Sequence, residues 1–230
     1  MHENIIRLRG YSNETDVKLI VYEHASKGSL DKHLSDASLK WRNRLKICID
    51  VATGLDFIHG GIQGEGAVIH RDIKSANILL FDDWTAKLGD FGLSLISTID
   101  KETNFIIDHP CGTESYVDPV YLSTGILTIE SDVYSFGVLL LEILCGREIY
   151  KLVKSESKSL LNYIKRKSEQ GKQDEIVFEA IKKEIKPELL TAFLDIVQGC
   201  LAVDREKRPT SKQVLSQLKK AFEFQNENKM

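Results

Sequence analysis

The segment Val133 to Leu144, VYSFGVLLLEIL, constrains the fold more than any other stretch in these 230 residues. As a helix it is apolar on every side, and such a helix belongs in an interior. Twelve helical residues span only about 18 Å, well short of the roughly 30 Å of a bilayer core. The chain must therefore build a protein core around this helix. Other segments offer the matching faces. Arg44 to His59 sets Leu45, Cys48, Ile49, Ala52, Leu55 and Ile58 on one stripe, Leu189 to Leu201 is amphipathic, and a last helix carries Val214, Leu215, Leu218 and Phe222. Gly60-Gly61 ends the first of these helices. Thr210 and Gln213 stand at capping-box spacing before the last. Ser131 or Asp132 is expected to cap the apolar helix itself.

Strands are fewer. NIIRLRGYS and VKLIVYEH look like a pair joined by the polar turn SNETD, KGSLDKHL opens a short helix, and AVIH and ILLF are short apolar runs between turn signals. Residues 93 to 118 show no period and are rich in Ser, Thr, Asp and Gly, as a functional or mobile loop would be. The pattern is α+β: a strand-poor start and a mostly helical body. A hydrophobic content of 42% and a charged content of 28% are ordinary for a globular protein, and 230 residues suffice for one domain of moderate size or one and a half small ones. A net charge of −3 provides no basic field for nucleic acid, and Lys165-Arg166-Lys167 reads as solvated helix surface. The opening MHENIIRLRG has charges where a signal peptide needs an apolar run. Cys48, Cys111, Cys145 and Cys200 lack metal-ligand spacing and read as free thiols in a reducing compartment, with Cys111 in a polar loop and the other three buried.

The chemistry concentrates in VIHRDIKSANILLFDDWTAKLGDFG. His70, Arg71, Asp72, Lys74 and Asn77 fall within eight residues, and Asp90-Phe91-Gly92 follows. Phosphoryl transfer from a nucleotide needs a base to orient the acceptor, positive charge on the moving group, and metal ions to bridge the phosphates. Magnesium takes one or two carboxylates together with phosphate oxygens. Asp72, Lys74, Asn77 and Asp90 supply these parts, and Ile73, Ile78, Leu79 and Leu80 would anchor the loop between them.

HRDIKSAN followed by DFG resembles the catalytic and metal loops of eukaryotic protein kinases. That resemblance implies that Asp72 is the catalytic base, that Asn77 and Asp90 are magnesium ligands, and that Lys74 touches the transferred phosphate, as in serine/threonine kinases. It makes His70 a structural-spine residue, puts Phe91 and Gly92 among the structural residues, and makes Arg71 the arginine that grips a phosphorylated activation loop. Ser97, Thr98 and Thr103 are then the candidate phosphosites, and Thr113 contacts the catalytic loop. SDVYSFGVLLLEILCGR resembles the central helix of the kinase large lobe, with Asp132 supporting the catalytic loop. CGTESYVDP resembles the peptide-binding end of the activation segment, and REKRPT the closing arginine motif, with Arg208 in place. LIVYEHASKGSL resembles the fifth strand and hinge: Tyr22 as gatekeeper, Glu23 and Ala25 offering backbone hydrogen bonds to adenine, and Leu79 as the floor beneath it. HENII, GSL, DVYSFGV and the DP-Y phrase are most like plant receptor-like kinases.

The resemblance implies a protein-kinase-like fold, with a remnant of the small-lobe sheet at residues 1–24 and a mostly helical large lobe at 25–230. It implies a protein serine/threonine kinase that uses ATP and Mg2+ and acts on Ser or Thr of a protein substrate below an upstream receptor or kinase. The chain has no membrane segment and no expected nucleic-acid partner. Its expected place is cytoplasmic, at the plasma membrane if it is part of a receptor-like kinase. Two departures stand out. No glycine-rich loop and no nucleotide-binding lysine match within the chain, and GEGAVI, Gly64 to Ile69, lacks the last glycine of G-x-G-x-x-G. The chain alone is therefore expected to be weak or inactive, and the alternative is a pseudokinase-like binding or regulatory module. Second, Val120 stands where the family has a glutamate that pairs with the arginine matching Arg208. The expected relief is that Arg208 turns to solvent or borrows Asp204 or Glu206, leaving SYVDPVY loosely tied.

Overall fold

The apolar segment forms the body of helix Ile129–Cys145, in which every residue from Ser135 to Cys145 is buried. The computed structural model describes residues 2–14, 17–61, 66–97, 105–150 and 159–226. In chain order, strands β1 (Leu8–Ser12) and β2 (Leu19–Tyr22) form an antiparallel hairpin. After β3 (Gly28–Ser29) comes a 3-10 turn, Leu30–His33, and then helix α1 (Trp41–His59). Next come β4 (Ala67–Ile69), a 3-10 turn at Ser75–Asn77, β5 (Ile78–Leu80), β6 (Ala86–Leu88), β7 (Leu95–Ser97) and β8 (Ile106–Ile107). Helix α2 (Pro119–Thr124), strand β9 (Ile126–Leu127) and helix α3 (Ile129–Cys145) follow. Helices α4 (Leu160–Glu169), α5 (Pro187–Cys200) and α6 (Ser211–Asn226) complete the described chain. The strands pair locally, β3-β5-β6, β4-β7 and β8-β9, all antiparallel.

Burial follows the stripes. Leu45, Cys48, Ala52 and Leu55 of α1 are wholly buried, as are Phe193, Leu194 and Val197 of α5 and Val214 and Leu218 of α6. Helices α3 and α5 cross so closely that a Cβ at Gly137 would lie 2.6 Å from the Cys200 Cβ, so only glycine fits there. Cys48, Cys145 and Cys200 are buried and Cys111 is partly exposed; all four are free thiols.

Three local expectations change. Helix α1 starts at Trp41, before Arg44, because the Trp41 N–H finds the Glu184 carboxylate at 2.8 Å and its ring packs edge-on against Phe193. Arg44 then lies inside the core, donating to the carbonyls of Leu39, Leu34, Asp36 and Ile143. Helix α3 starts at Ile129, so Thr128 holds the cap position. Ser131 serves it by accepting from the Thr128 N–H at 3.3 Å, while Asp132 points elsewhere. The stretch 93–118 contains β7 and β8, strands of two or three residues, too short to print a period in the sequence.

Candidate active site

The strand-turn-strand from β4 to β6 presents the polar residues. Asp132, near the start of α3 and buried, accepts from the backbone N–H groups of His70 at 2.7 Å and Arg71 at 2.9 Å, and from His59 Nε2 at 3.1 Å. These bonds hold Arg71 at φ 73°, a left-handed conformation that a non-glycine residue adopts only under constraint. His70 is buried; its Nε2 donates to Gly89 O at 3.0 Å, its Nδ1 accepts from Asp72 N at 3.3 Å, and its ring lies edge-on to Phe91. Burial holds His70 below the usual imidazole value despite the pull of Asp132, which fits a neutral ring with one donor and one acceptor.

Asp72 is the hub. Its Oδ1 accepts from the Thr113 hydroxyl at 2.7 Å, and its Oδ2 meets Lys74 Nζ at 2.6 Å and Asn77 Nδ2 at 3.0 Å. Lys74 Nζ also donates to Thr113 Oγ1 at 2.9 Å, and Asn77 Nδ2 to Asp72 O at 2.8 Å. Burial pushes the Asp72 carboxyl up, but the hydrogen bonds from Lys74 and Thr113 and the lysine charge outweigh it, so the group sits below the ordinary carboxylate range. It is ionised at neutral pH.

Asn77 and Asp90 are brought together by the β5-β6 ladder. Ile78 pairs with Leu88, and the Gly89 N–H donates to Asn77 O at 2.9 Å, which sets Asp90 one residue from that bond. Asp90 is exposed and left-handed, φ 60°; its Oδ1 accepts from Gly92 N at 3.3 Å. Asn77 makes both of its described side-chain bonds through Nδ2, to Asp72, and its amide oxygen is its acceptor group. One carboxylate and one amide oxygen are a donor set for magnesium shared with phosphate oxygens. Among the described residues there is no cluster of three or more His, Cys, Asp or Glu fit for a metal of its own.

The residues expected at the hinge lie at and after the end of the first hairpin. Tyr22 ends β2 and is exposed. The Glu23 N–H donates to Arg7 O at 2.9 Å and its side chain meets Lys87 Nζ at 2.6 Å, while Ala25 O accepts from Gly28 N at 3.0 Å. Leu79 lies between Ser29 and Lys87 across the β3-β5-β6 sheet.

The segment SYVDPVY departs most from expectation. Arg208 neither faces solvent nor borrows Asp204 or Glu206. It is buried against Asp118, with NH1 to Oδ2 and NH2 to Oδ1 both at 2.9 Å. Arg205 adds NH2 to Asp118 Oδ2 at 2.7 Å, and Ser131 Oγ donates to the same oxygen at 3.2 Å. Asp118 also caps α2 through the Val120 N–H at 3.0 Å. As the cap residue two positions before Val120, it points its carboxylate inward and supplies the anion from the same segment, so SYVDPVY is firmly tied. Below it, the Tyr116 hydroxyl donates to buried Glu142 and contacts Ser75 Oγ at 3.1 Å.

Of the phosphosite candidates, Ser97 sits in β7 opposite Ala67 of β4, and Thr98 and Thr103 lie outside the described residues. Sequence reasoning missed Asp108, whose Oδ2 pairs with Arg71 NH2 at 2.8 Å, and Tyr121, whose hydroxyl accepts from Arg71 at 2.9 Å. Neither carried a signal. Asp118 did carry one, since Asp-Pro marks a helix start.

The model of the protein kinase domain matches residues 1–218. The chain belongs to the protein kinase family. Its similar relatives in Arabidopsis thaliana include a probable receptor-like protein kinase, 40% identical over 97% of this chain and 27% of the relative. A probable LRR receptor-like serine/threonine-protein kinase is 35% identical over 98% of this chain and 26% of the relative, and wall-associated receptor kinase 3 is 38% identical over 94% and 29%. The chain thus spans under a third of the length of these relatives. The kinase assignment agrees with the α+β architecture and with the order of the motifs. Among the described residues no helix is long and apolar enough to cross a membrane.

Proposed function

We propose that this kinase segment serves a protein that moves the γ-phosphoryl group of ATP to a serine or threonine hydroxyl of a protein substrate. The observation that carries the reading is the triangle of Asp72, Lys74 and Thr113, with Asn77 closing it. A carboxylate already accepting from one threonine hydroxyl has lone pairs for a second. Asp72 orients the acceptor hydroxyl and takes its proton as the oxygen attacks phosphorus and the bond to the ADP oxygen breaks. Lys74, beside it, places positive charge where the transferred group's oxygens lie. Asn77 and Asp90 would hold Mg2+, which would supply positive charge to offset the negative charge of the ATP phosphates. Tyr22, Glu23, Ala25 and Leu79 would frame the adenine, with residues 1–24 as the small-lobe remnant and 25–230 as the large lobe. The names of the relatives support a plant receptor-like setting, at the cytoplasmic face of the plasma membrane, under an upstream receptor or kinase.

Within these 230 residues no glycine-rich loop or phosphate-binding lysine matches the family. For the chain alone we expect weak Mg-ATP binding and turnover far below the family's roughly 1–100 per second, measured in single-turnover assays with labelled ATP. In a full-length protein carrying this segment, Asp72→Asn should lower transfer by about 10²- to 10⁴-fold with nucleotide affinity unchanged. Asp90→Asn should instead weaken metal-dependent nucleotide binding. Transfer that survives Asp72→Asn would remove the base from this mechanism.

A further inference from the structure

The Arg71 side chain is only 7% exposed, yet it extends from the residue next to the base towards a loop. A guanidinium so far from water needs an anion. That anion is present in the chain: Asp108 Oδ2 lies 2.8 Å from NH2, while His109 O and the Tyr121 hydroxyl accept from the same nitrogen. We propose that Asp108 is a resident anion that orders the segment from Ile106 to Val117 against Asp72, so that this segment needs no phosphate to take its working position.

The connections run both ways from Asp108. Its N–H donates to Gly125 O at 3.0 Å, extending the β8-β9 ladder, which fixes the residue from the side of α2. Its Oδ1 accepts from the His109 N–H at 2.8 Å, which sets the rotamer that leaves Oδ2 for Arg71. Beyond it, Gly112 adopts φ 113° so close to the catalytic loop that a Cβ there would lie 2.6 Å from Arg71 O. The next residue is Thr113, which holds Asp72. The Asp108–Arg71 pair therefore fixes the approach of the chain to the base. Asp108 is a positioning residue: it touches the machinery only through Arg71 and the backbone it orders. A phosphate added at Ser97, Thr98 or Thr103 would compete with Asp108 for Arg71 and not fill an empty place. The regulatory consequence rests on the phosphotransfer reading above, whereas the ordering of the segment does not.

Hydrogen exchange on the full chain separates the two. Asp108→Ala should speed exchange in peptides covering 106–117, including the Tyr116 and Val117 amides that donate to Thr113 O, by about tenfold or more, the loss expected for a charge-assisted bond. Peptides from α5 should not change. Asp108→Asn, which keeps the shape and removes only the charge, should do the same, and Asp108→Glu should restore protection. Inorganic phosphate should restore protection saturably to Asp108→Ala, leave the natural chain unaffected, and fail in Asp108→Ala, Arg71→Ala. Unchanged exchange in Asp108→Asn, or no phosphate response in Asp108→Ala, overturns the proposal. Neither outcome depends on whether the protein transfers phosphate.

Discussion

The Asp118 carboxylate is buried to 0% exposure between two guanidinium groups and a helix N-terminus. Burial alone would raise its pKa, but the hydrogen bonds and charge of Arg208, with Arg205 beside it, hold it below the ordinary value. A depressed folded pKa stabilises above the unfolded value, near 4 for aspartate, and that stabilisation is lost as pH falls through the folded value. Removing one member of such a pair costs about 3–5 kcal/mol, because the other charge is left buried. Asp118→Ala should therefore destabilise by about that much in urea unfolding, and much less in an Arg208→Ala background. Val120→Glu tests the other side. Arg208 already donates to Asp118, to Ala202 O and to Glu130 O. The new carboxylate should therefore add under about 0.5 kcal/mol, the same with or without Arg208. A gain confined to the Arg208 background would show that the guanidinium has a free donor. At this scale the grouping of Asp72, Asn77 and Asp90 was legible, because they are close in the chain and chemically unlike their neighbours, and the structure brings them to one loop cluster. The sequence hid the Asp118–Arg208 and Asp108–Arg71 pairs, since an ion pair across 90 or 37 positions leaves no local pattern.

Helix α1 and hairpin β5-β6 meet at Asp50, whose Oδ2 accepts from the Ala86 N–H at 2.9 Å. Burial raises this carboxyl to about 6, although the Ala86 bond and Lys46 pull it down. Here the sign is opposite to that of Asp118. Between about pH 4 and 6 the folded chain holds a proton that the unfolded chain has released, so this contribution to stability falls as pH rises through that window. Asp50→Asn keeps an acceptor for Ala86 and removes the charge. It should be neutral below about pH 4 and stabilise by on the order of 1–3 kcal/mol above pH 6, the energy of a shift of about two units. Urea titrations at pH 4 and 7.5 check this; an equal effect at both would show that Asp50 titrates normally. The helices themselves were legible from the stripes of α1, α5 and α6 and from the Thr210–Gln213 box, which forms as 2.8 and 3.2 Å bonds. Of helix α4 only the solvated side, Lys165-Arg166-Lys167, was legible; its buried side is the short i, i+3, i+4 set Leu160, Tyr163 and Ile164, a single turn of apolar contact in ten residues.

Across the whole molecule, order is distributed unevenly. Strand β2 reads LIVY, the composition of a strand covered on both faces, yet all four residues are exposed, as are Leu8 and Tyr11 of β1. An open groove of about 540 Å³ runs from these residues to Phe91. The hairpin is tied to the body near its base: Asn4 and Ile6 bond Leu88 through the backbone at 2.9 Å, and Glu23 accepts from the Arg7 N–H at 2.9 Å and meets Lys87 at 2.6 Å. Nothing comparable fixes residues 8–12 and 19–22 among the described contacts, and a two-stranded ribbon alone is marginal in water. The hairpin should therefore open in a local step, at a free energy well below that of global unfolding. In native-state hydrogen exchange, the amides of Tyr11, Ser12 and Leu19–Tyr22 should exchange with little dependence on low urea, while those of α1 and α3 exchange only through the urea-sensitive global route. Lys87→Ala releases the Glu23 side chain from one of its two partners. It should speed hairpin exchange by roughly fivefold, the value of a partly buried pair near 1 kcal/mol, without moving the α3 amides. If hairpin and α3 amides instead share one urea-dependent free energy, the small sheet and the helical body fold as one unit, and the exposed faces of β2 cost the native state nothing in local stability.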